Sequence, residues 1–281
     1  MLIDCHVNIW ENKDTTKEYK KQFSRIKPGK YLPPTPNIET IFKAMKQVDK
    51  AIIFPISYGD SVGVESNDNL VAKAVKKYPE KFIGFTYLDP RKKDYMKILK
   101  HGIHVLNLKG IKYGPIYNRV PLDDPRLEKV YQFCTKNNLP ITLHMGTTFA
   151  SNTLLDLGRP LHVDAIAQKF PYLKIILAHM GHPWCDECIA VIRKNENVYG
   201  EISAIHYRKW QFFNTLISIQ DYKVVDKIFF GTDFPFTTVE ESIRDIKNIN
   251  SISKNTGLPK ILKSTINTII HSNPIDWWWH K

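Results

Sequence analysis

The chain has 281 residues, of which 43% are hydrophobic, and it carries a formal net charge of +12. This length and apolar content suffice for one large core and match the usual size of a single α/β barrel. Because its lysines are spread along the chain and no nucleic-acid-binding motif is present, the charge favours small anionic substrates and argues against a nucleic-acid partner.

The sequence also argues against a secreted or membrane-bound protein. Asp4 and His6 interrupt the N-terminal apolar segment, which lacks the basic region and long apolar stretch of a secretory signal. No apolar run approaches the roughly 20 residues that a membrane span needs. Four cysteines in a chain of this length do not form a disulfide framework. We therefore expect a cytoplasmic enzyme without a membrane partner.

The first ten residues have the pattern of a barrel strand. Asp4, His6 and Asn8 are two residues apart, so a β-strand places them on one face and the intervening apolar residues on the other. An apolar face opposite three potential ligands indicates an inner barrel strand. An edge strand with one solvated face has the same pattern and stays an alternative.

Residues 11–36 are rich in lysine and proline and show neither a helical nor a strand period. In a barrel they would form an extended first βα loop over the pocket. Loops of this length are usually functional or disordered, so the basic residues here are weak candidates for contacts to anions.

Helical and strand patterns then alternate along the chain, as a parallel α/β barrel requires. The predicted helices cover 38–48, 69–78, 92–100, 125–137, 161–170, 185–194 and 239–249. The predicted later strands cover 51–56, 82–88, part of 105–113, 140–143, 174–178, 198–203 and 227–233. With the first strand, these segments give eight strands that alternate with helices, and the glycine-rich phosphate turn of an open doubly wound sheet is absent. The pattern therefore predicts one (β/α)8 TIM-barrel domain that spans residues 1–281.

Three later strands end, like the first, in a residue that can bind a metal or transfer a proton. His144, His179 and Asp233 each follow a buried-strand pattern directly. A TIM barrel keeps its active site at the C-terminal ends of its strands, so these residues and His6 should share one pocket. Imidazole and carboxylate groups are the usual ligands of Zn²⁺, whose bound water could attack an ester, amide or lactone carbonyl. Asp233 would accept the proton, and His179 would orient or polarise the substrate.

These residues stand in motifs that resemble the amidohydrolase superfamily. The resemblance is to its amidohydrolase-related branch, which includes aminocarboxymuconate semialdehyde decarboxylase, resorcylate-type decarboxylases and pyrone dicarboxylate lactonases. The matching motifs are Ile3 to Trp10, Gly110 to Pro115, Leu139 to Gly146, Leu177 to Trp184 and Phe230 to Pro235. The match covers nearly the whole chain, and its last two motifs are specific when they occur together in this order.

By this resemblance, His6, His144 and Asp233 would hold one divalent ion, Zn²⁺ or alternatively Mn²⁺, and His179 would be the catalytic or substrate-facing histidine. Asn8 departs from the pattern, because the branch most often has a second histidine there. An amide oxygen is a weaker ligand than imidazole for such an ion. With Asn8 as the candidate fourth ligand, the site should bind metal less tightly. The alternatives are a reduced three-ligand site, a site that prefers another ion, and a site that no longer uses metal.

Further side chains are candidates for substrate contacts. Lys112 could hold a substrate carboxylate, because it fits the Gly-x-Lys pattern and Lys109 does not; a solvated lysine is the alternative. The other candidates are His182 and Trp184, which follow the sixth strand, and His206 and Arg208, which follow the seventh.

Two motifs do not fit the predicted site. Cys185 and Cys188 form a Cys-x-x-Cys pair at a helix start, which we interpret as two small thiols on a helix face and not as a redox site. Trp277 to Trp279 should pack on the barrel bottom or at a subunit interface, which leaves a homo-oligomer open.

The sequence therefore supports several functions. The first is a metal-dependent hydrolase that acts on a small carboxylated compound. The second is a non-oxidative decarboxylase that uses the same site, and the pattern of residues does not separate the two. The third, favoured by Asn8 alone, is a metal-free hydrolase or a ligand-binding relative.

Overall fold

The computed structural model describes residues 1–23, 35–56 and 59–279. Its strands are β1 (Ile3–Ile9), β2 (Lys50–Pro55), β3 (Phe82–Gly84), β4 (Thr86–Tyr87), β5 (Ile111–Tyr113), β6 (Ile141–Leu143), β7 (Ile175–Leu177), β8 (Val198–Glu201) and β9 (Ile228–Phe229). Its α-helices are α1 (Lys17–Phe23), α2 (Ile38–Ala44), α3 (Gly59–Val62), α4 (Asp68–Lys77), α5 (Tyr95–His104), α6 (Pro115–Asn118), α7 (Pro125–Lys136), α8 (His162–Lys169), α9 (Cys185–Lys194), α10 (Lys209–Asp221), α11 (Val239–Lys247), α12 (Lys263–Ile270) and α13 (Pro274–Trp279). Within these residues, no helix has the length and apolar character needed to cross a bilayer.

The strands form a closed parallel barrel. They pair in the order β1-β2-β3 and β4 to β9, and β3 and β4 are two parts of one strand separated only by Phe85. The Phe85 N–H donates to Ile53 O on β2 at 2.9 Å. Two hydrogen bonds close the barrel by joining the chain at the end of β9 to β1. Cys5 N–H donates to Phe230 O and Asp233 N–H donates to His6 O, both at 3.0 Å. The predicted (β/α)8 fold is confirmed.

The first strand differs from a regular alternating strand. Its register with β2 shifts between Asp4 and Val7. Cys5 packs inside the barrel with Phe54, whereas Val7 and Ile9 pack with the apolar residues of α2 outside it. A β-bulge places neighbouring residues on unexpected faces, so the simple two-residue period predicted for this strand holds only in part.

The connection between β8 and β9 contains a helix that the sequence pattern does not predict. In α10, Phe212, Phe213, Leu216 and Ile219 are all buried. Because apolar residues lie on several sides of this helix, its period is blurred, and a pattern based on one apolar stripe does not detect it.

The segment 11–36 contains more structure than its composition indicates. It includes α1, whose Tyr19 and Phe23 rings lie 6.2 and 6.0 Å from the Trp10 ring. These aromatic contacts give the short helix a buried face. Residues 24–34 lie outside the described residues, so a first βα loop over the pocket stays a prediction.

The C-terminal helix α13 packs against the N-terminal ends of the strands. Trp278 is 2% exposed, and its ring lies edge-on to Phe85 with the centroids 5.7 Å apart. Its carbonyl accepts a hydrogen bond from Lys174 Nζ at 2.9 Å. The neighbouring Trp277 ring lies 4.1 Å from that of Tyr199. The sequence predicted that the tryptophans pack on the barrel bottom or at a subunit interface. The Trp277 and Trp278 rings pack on the barrel bottom.

Replacing Trp278 by alanine should therefore destabilise the barrel. Removing a buried aromatic side chain that plugs one end of the core should lower the free energy of unfolding by about 3–5 kcal/mol, measured by denaturant titration. Trp210→Ala is the matched control, because Trp210 is 57% exposed and its loss should cost less than about 1 kcal/mol. If the two substitutions lowered the free energy of unfolding equally, α13 would not stabilise the barrel by packing Trp278 into its N-terminal end.

Candidate active site

Four predicted site residues meet at the C-terminal ends of the strands. His6 Nε2 lies 3.4 Å from Asp233 Oδ1, and His144 Nδ1 lies 3.2 Å from His179 Nε2. The His6 and His179 rings are 4.6 Å apart. One ligand atom each from His6, His179 and Asp233 lie within 4.8 Å of one another. Residues from the beginning, middle and end of the chain therefore reach one centre.

Glu201, at the end of β8, holds this centre together. Its Oε1 accepts hydrogen bonds from His6 Nδ1 at 2.8 Å, from the His179 backbone N–H at 2.9 Å and from Ser203 Oγ at 2.8 Å. Its Oε2 accepts one from the Ser203 N–H at 2.6 Å. Donors on two other strand ends and on its own thus satisfy a fully buried carboxylate.

The sequence reasoning missed Glu201 and Ser203. The signal for Glu201 is its position at the end of the buried strand 198–201, which is the rule that identifies His144 and His179. Ser203 carries no such signal, because a serine after a strand is common in loops. Its role follows only from the contacts that it makes.

Ser203 fixes the proton on His179. Its hydroxyl donates its only proton to Glu201, so its oxygen accepts from His179 Nδ1–H, 2.7 Å away. His179 Nε2 therefore carries a lone pair that can bind a cation. Neutral His144 donates Nε2–H to the Thr147 carbonyl at 3.3 Å, so its Nδ1 also presents a lone pair, 3.2 Å from His179 Nε2. His6 likewise donates Nδ1–H to Glu201 and directs the Nε2 lone pair towards the centre.

Asn8 contacts Asp233 as a hydrogen-bond donor. Its Nδ2 donates to Asp233 Oδ1 at 2.9 Å and to Phe234 O at 3.0 Å. Both partners are acceptors, so the opposite orientation of the amide would place oxygen against oxygen. In this arrangement the Asn8 amide nitrogen orients the carboxylate, whereas the buried Oδ1 has no hydrogen-bond partner among the described residues. Asn8 as a metal ligand stays a prediction.

Asp4 ties the last strand end to the first. Its carboxylate accepts hydrogen bonds from Thr232 N–H at 3.0 Å, from Thr232 Oγ1 at 2.7 Å and from His6 N–H at 3.1 Å. These bonds hold the backbone beside Asp233, whose φ of 64° is unusual for a residue other than glycine. His179 has a similar φ of 60°. The surrounding bonds hold both residues in a conformation that costs of order 1–3 kcal/mol.

Burial dominates the electrostatics of the centre. It lowers the pKa of His6, His144 and His179 well below the ordinary value, and the positive charge of Lys112 acts in the same direction. The three imidazoles are therefore neutral, as metal ligands must be. Burial also raises the pKa of Asp233, against the effects of the Asn8 hydrogen bond and of Lys112.

Lys112 enters the same centre from β5. Its side chain is 1% exposed, with Nζ 3.5 Å from His6 Nε2 and 4.6 Å from the Phe54 ring centroid. Burial lowers the pKa of Lys112, whereas the carboxylates of Glu201 and Asp233 raise it. The alternative of a solvated lysine is wrong.

A cavity of about 170 Å³ opens onto His144, His179 and Asp233. Of the predicted substrate contacts, His182 and Arg208 line it, and the pKa of His182 is lowered to about 4 by burial and by Arg208. Four aromatic residues also line it, namely Tyr117, Phe149, Tyr207 and Phe236. These rings come from four different connections after the strands, so no local pattern in the sequence identifies them as one surface.

The structure does not bring Trp184 or His206 to this cavity. The Trp184 ring lies 5.6 Å from the Arg159 guanidinium carbon, at the start of α9. His206 is fully buried, with Nε2 3.0 Å from Ser242 Oγ on α11. Trp184 and His206 are near His179 and Arg208 in the sequence, but the intervening turns direct their side chains away from the cavity.

The Cys185 and Cys188 thiols are both buried in α9. Burial raises the pKa of Cys185 to about 11 and raises that of Cys188 well above its ordinary value. A reactive thiolate is therefore disfavoured at this Cys-x-x-Cys pair.

The donor set of the centre fits a divalent ion. His6 and His179 offer neutral nitrogens whose partner ring nitrogens are held by Glu201 and Ser203, and Asp233 offers a carboxylate. Such supporting hydrogen bonds are typical of metal-binding histidines. The three-residue group includes His179, which the resemblance implies as the catalytic histidine. The expected ligand His144 contacts the group through His179.

Comparison with solved structures shows the same fold in other proteins. An uncharacterised TIM-barrel protein from Bordetella bronchiseptica has a TM-score of 0.74 at 21% identity, with 96% of this chain and 95% of that chain covered. A probable 2-pyrone-4,6-dicarboxylic acid hydrolase from Acinetobacter baumannii has a TM-score of 0.68 at 13% identity, with 99% of each chain covered. A 5-carboxyvanillate decarboxylase from Novosphingobium aromaticivorans, solved with bound manganese, has a TM-score of 0.71 at 14% identity, with 100% and 97% covered.

The sequence comparisons identify the family. Comparison with curated proteins gives no match. The Amidohydrolase family, in contrast, matches residues 3–278, which is nearly the whole chain and includes every strand of the barrel and the four converging residues. This match confirms the resemblance seen in the sequence motifs: the chain belongs to the Amidohydrolase family.

Proposed function

We propose that this protein is a metal-dependent hydrolase that acts on a small carboxylated compound. The observation that supports the proposal is the convergence of His6, His179 and Asp233, whose ligand atoms lie within 4.8 Å of one another. His179 and Asp233 also line a cavity. A divalent ion held there would polarise a carbonyl and lower the pKa of a water molecule. Zn²⁺ suits two imidazoles and one carboxylate, and Mn²⁺ is the alternative.

The residues around the ion have separate tasks. Asp233 accepts the proton of the attacking water, and the hydrogen bond from Asn8 to Oδ1 keeps its carboxylate oriented. His179, held by Ser203, presents Nε2 to the centre. His144 lies at the cavity surface beside His179 and orients the substrate.

The cavity lining favours an anionic substrate with a planar or apolar body. Arg208 provides a guanidinium group, which binds carboxylates in a bidentate manner, and its charge lies over the Tyr207 ring at 4.5 Å. His182 lies on the same lining, and the aromatic rings offer flat apolar surfaces. Lys112, a predicted substrate contact, lies beneath this lining.

A non-oxidative decarboxylase is the second candidate. Several solved structures with this fold are 2,6-dihydroxybenzoate or 5-carboxyvanillate decarboxylases. In this chain, burial raises the pKa of Asp233, which favours a carboxylic acid able to deliver a proton to carbon. Assays on a panel of cyclic and aromatic carboxylates separate the reactions, because the decarboxylase releases carbon dioxide and the hydrolase adds water.

Metal removal should abolish the activity. Protein purified without chelator should contain about one divalent ion per chain by elemental analysis, since one group of donors is present. Dialysis against a chelator should remove both the ion and the hydrolysis of carboxylated lactones, esters and amides. Adding Zn²⁺ or Mn²⁺ should restore the reaction. Full activity in metal-free protein would contradict the proposal.

Single substitutions should separate metal binding from substrate orientation. His6→Ala, His179→Ala and Asp233→Asn should lose the ion, because each removes a donor of the converging group. His144→Ala should keep the ion but lower kcat by about 10²-fold or more, because it removes a polar group facing the substrate. His104→Ala changes an exposed histidine and should alter neither property. Loss of metal in His144→Ala with retention in His179→Ala would reverse the assignment of the two histidines.

Replacement of Arg208 by alanine should weaken binding of carboxylated substrates. Loss of a charge-assisted contact should raise KM about 10- to 100-fold and leave kcat nearly unchanged. The same substrate with its carboxylate blocked as an amide should show little difference between Arg208→Ala and the unaltered protein. Equal losses for the charged and uncharged substrates would show that Arg208 supports the fold of the site and does not recognise the carboxylate.

A further inference from the structure

Lys112 is a buried charged residue of the centre, and the proposed reaction gives it no role. Neighbouring residues of β5, Ile111 and Tyr113, pack in the core cluster outside the barrel, so the two-residue strand period directs Lys112 inwards. Its side chain is 1% exposed and does not line the cavity. It is therefore placed to act on the centre and not on a substrate in the cavity.

The contacts of Lys112 are those of a counter-ion. Nζ lies 3.5 Å from His6 Nε2 and over the Phe54 ring, 4.6 Å from its centroid. The buried carboxylates of Glu201 and Asp233 attract its positive charge. Burying an ammonium group is unfavourable unless such partners offset the loss of hydration. Lys112 thus supplies one positive charge that partly offsets the carboxylates of this centre.

The position of the Lys112 ammonium group conflicts with a metal ion bound to His6 Nε2. His6 donates its Nδ1–H to Glu201, so its Nε2 has one lone pair directed at the centre. This lone pair can accept a hydrogen bond from Lys112 or bind a metal, but it cannot do both. The ammonium group and a divalent ion would also repel each other strongly across a few ångströms of buried space.

We infer that Lys112 is an internal cation that competes with the divalent metal for the centre formed by His6, His179 and Asp233. In the structure its ammonium group lies beside His6 Nε2 and partly offsets the carboxylates. A metal bound to His6 would displace it. The metal affinity of this protein is therefore lower than its donor set alone would provide, and the metal-free centre is stabilised. The inference rests on the proposed metal site and adds a residue that controls its occupancy.

The test compares metal affinity in stripped proteins at one fixed pH. Unaltered protein, Lys112→Met, Lys112→Gln and Lys109→Met are titrated with Zn²⁺ in competition with a chromophoric chelator. Thermal unfolding is followed with and without the ion. Lys109 is the matched control, because it lies just before β5 and its Nζ contacts Asn107 at the exposed surface. Circular dichroism establishes that each variant is folded.

Both neutral variants of Lys112 should bind Zn²⁺ at least about tenfold more tightly than the unaltered protein, because a like charge is removed from the centre. Without metal they should unfold at a lower temperature, and Zn²⁺ should raise that temperature more than it does in the unaltered protein. Lys109→Met should match the unaltered protein in both measurements. A lysine that only binds substrate would change KM and leave these two quantities unchanged.

The outcomes separate this inference from the proposed function. If the unaltered protein binds Zn²⁺ and a folded Lys112 variant binds it equally or more weakly, the competition is overturned and the metal-dependent function stands. If only the Lys112 variants bind Zn²⁺, the competition is supported and the metal-dependent function of the unaltered protein fails. If none of the proteins binds Zn²⁺, both ideas fail.

Discussion

The buried carboxylate of Glu201 is the interaction on which the site depends. It accepts hydrogen bonds from His6, from the His179 backbone and twice from Ser203, so it joins three strand ends that are separated in the sequence. A buried anion of this kind is tolerated because hydrogen-bond donors contact both of its oxygens. The same bonds set the tautomers of both histidines. The lone pairs that face the centre are therefore a consequence of the hydrogen-bond network around one side chain.

The charges of the centre give Lys112 and the proposed divalent ion the same task. Asp233 and Glu201 bring negative charge into a region from which the barrel walls exclude water, and Lys112 brings the compensating positive charge. A metal ion would supply the same compensation at the histidine nitrogens. In the proposed scheme a divalent ion and the Lys112 ammonium would be alternative sources of positive charge beside the His6 Nε2 lone pair. Asn8 orients Asp233 through the hydrogen bond that its Nδ2 donates.

The cavity above the centre is built differently from its floor. The floor consists of residues at the ends of short buried strands, whose hydrogen-bonded ladders fix their positions within narrow limits. The walls, including Tyr117, Phe149 and Arg208, come from the connections after those strands. Connections can change in length and sequence without disturbing the barrel, so proteins with this fold can share a floor and differ in substrate.

The sequence by itself determined the barrel and the convergence of His6, His144, His179 and Asp233. Parallel buried strands place their C-terminal ends at one mouth, so a polar residue that follows each strand can be located from the local pattern alone. Tertiary structure alone decided the partners of these residues, the donor role of Asn8 and the contact of Lys112 with His6. It also decided that His206 and Trp184 lie away from the cavity lining. The His6–Glu201 and Asn8–Asp233 contacts join residues 195 and 225 positions apart. Such contacts depend on barrel closure, on the bulge in β1 and on the direction of each turn, and no periodicity within a short segment encodes these features.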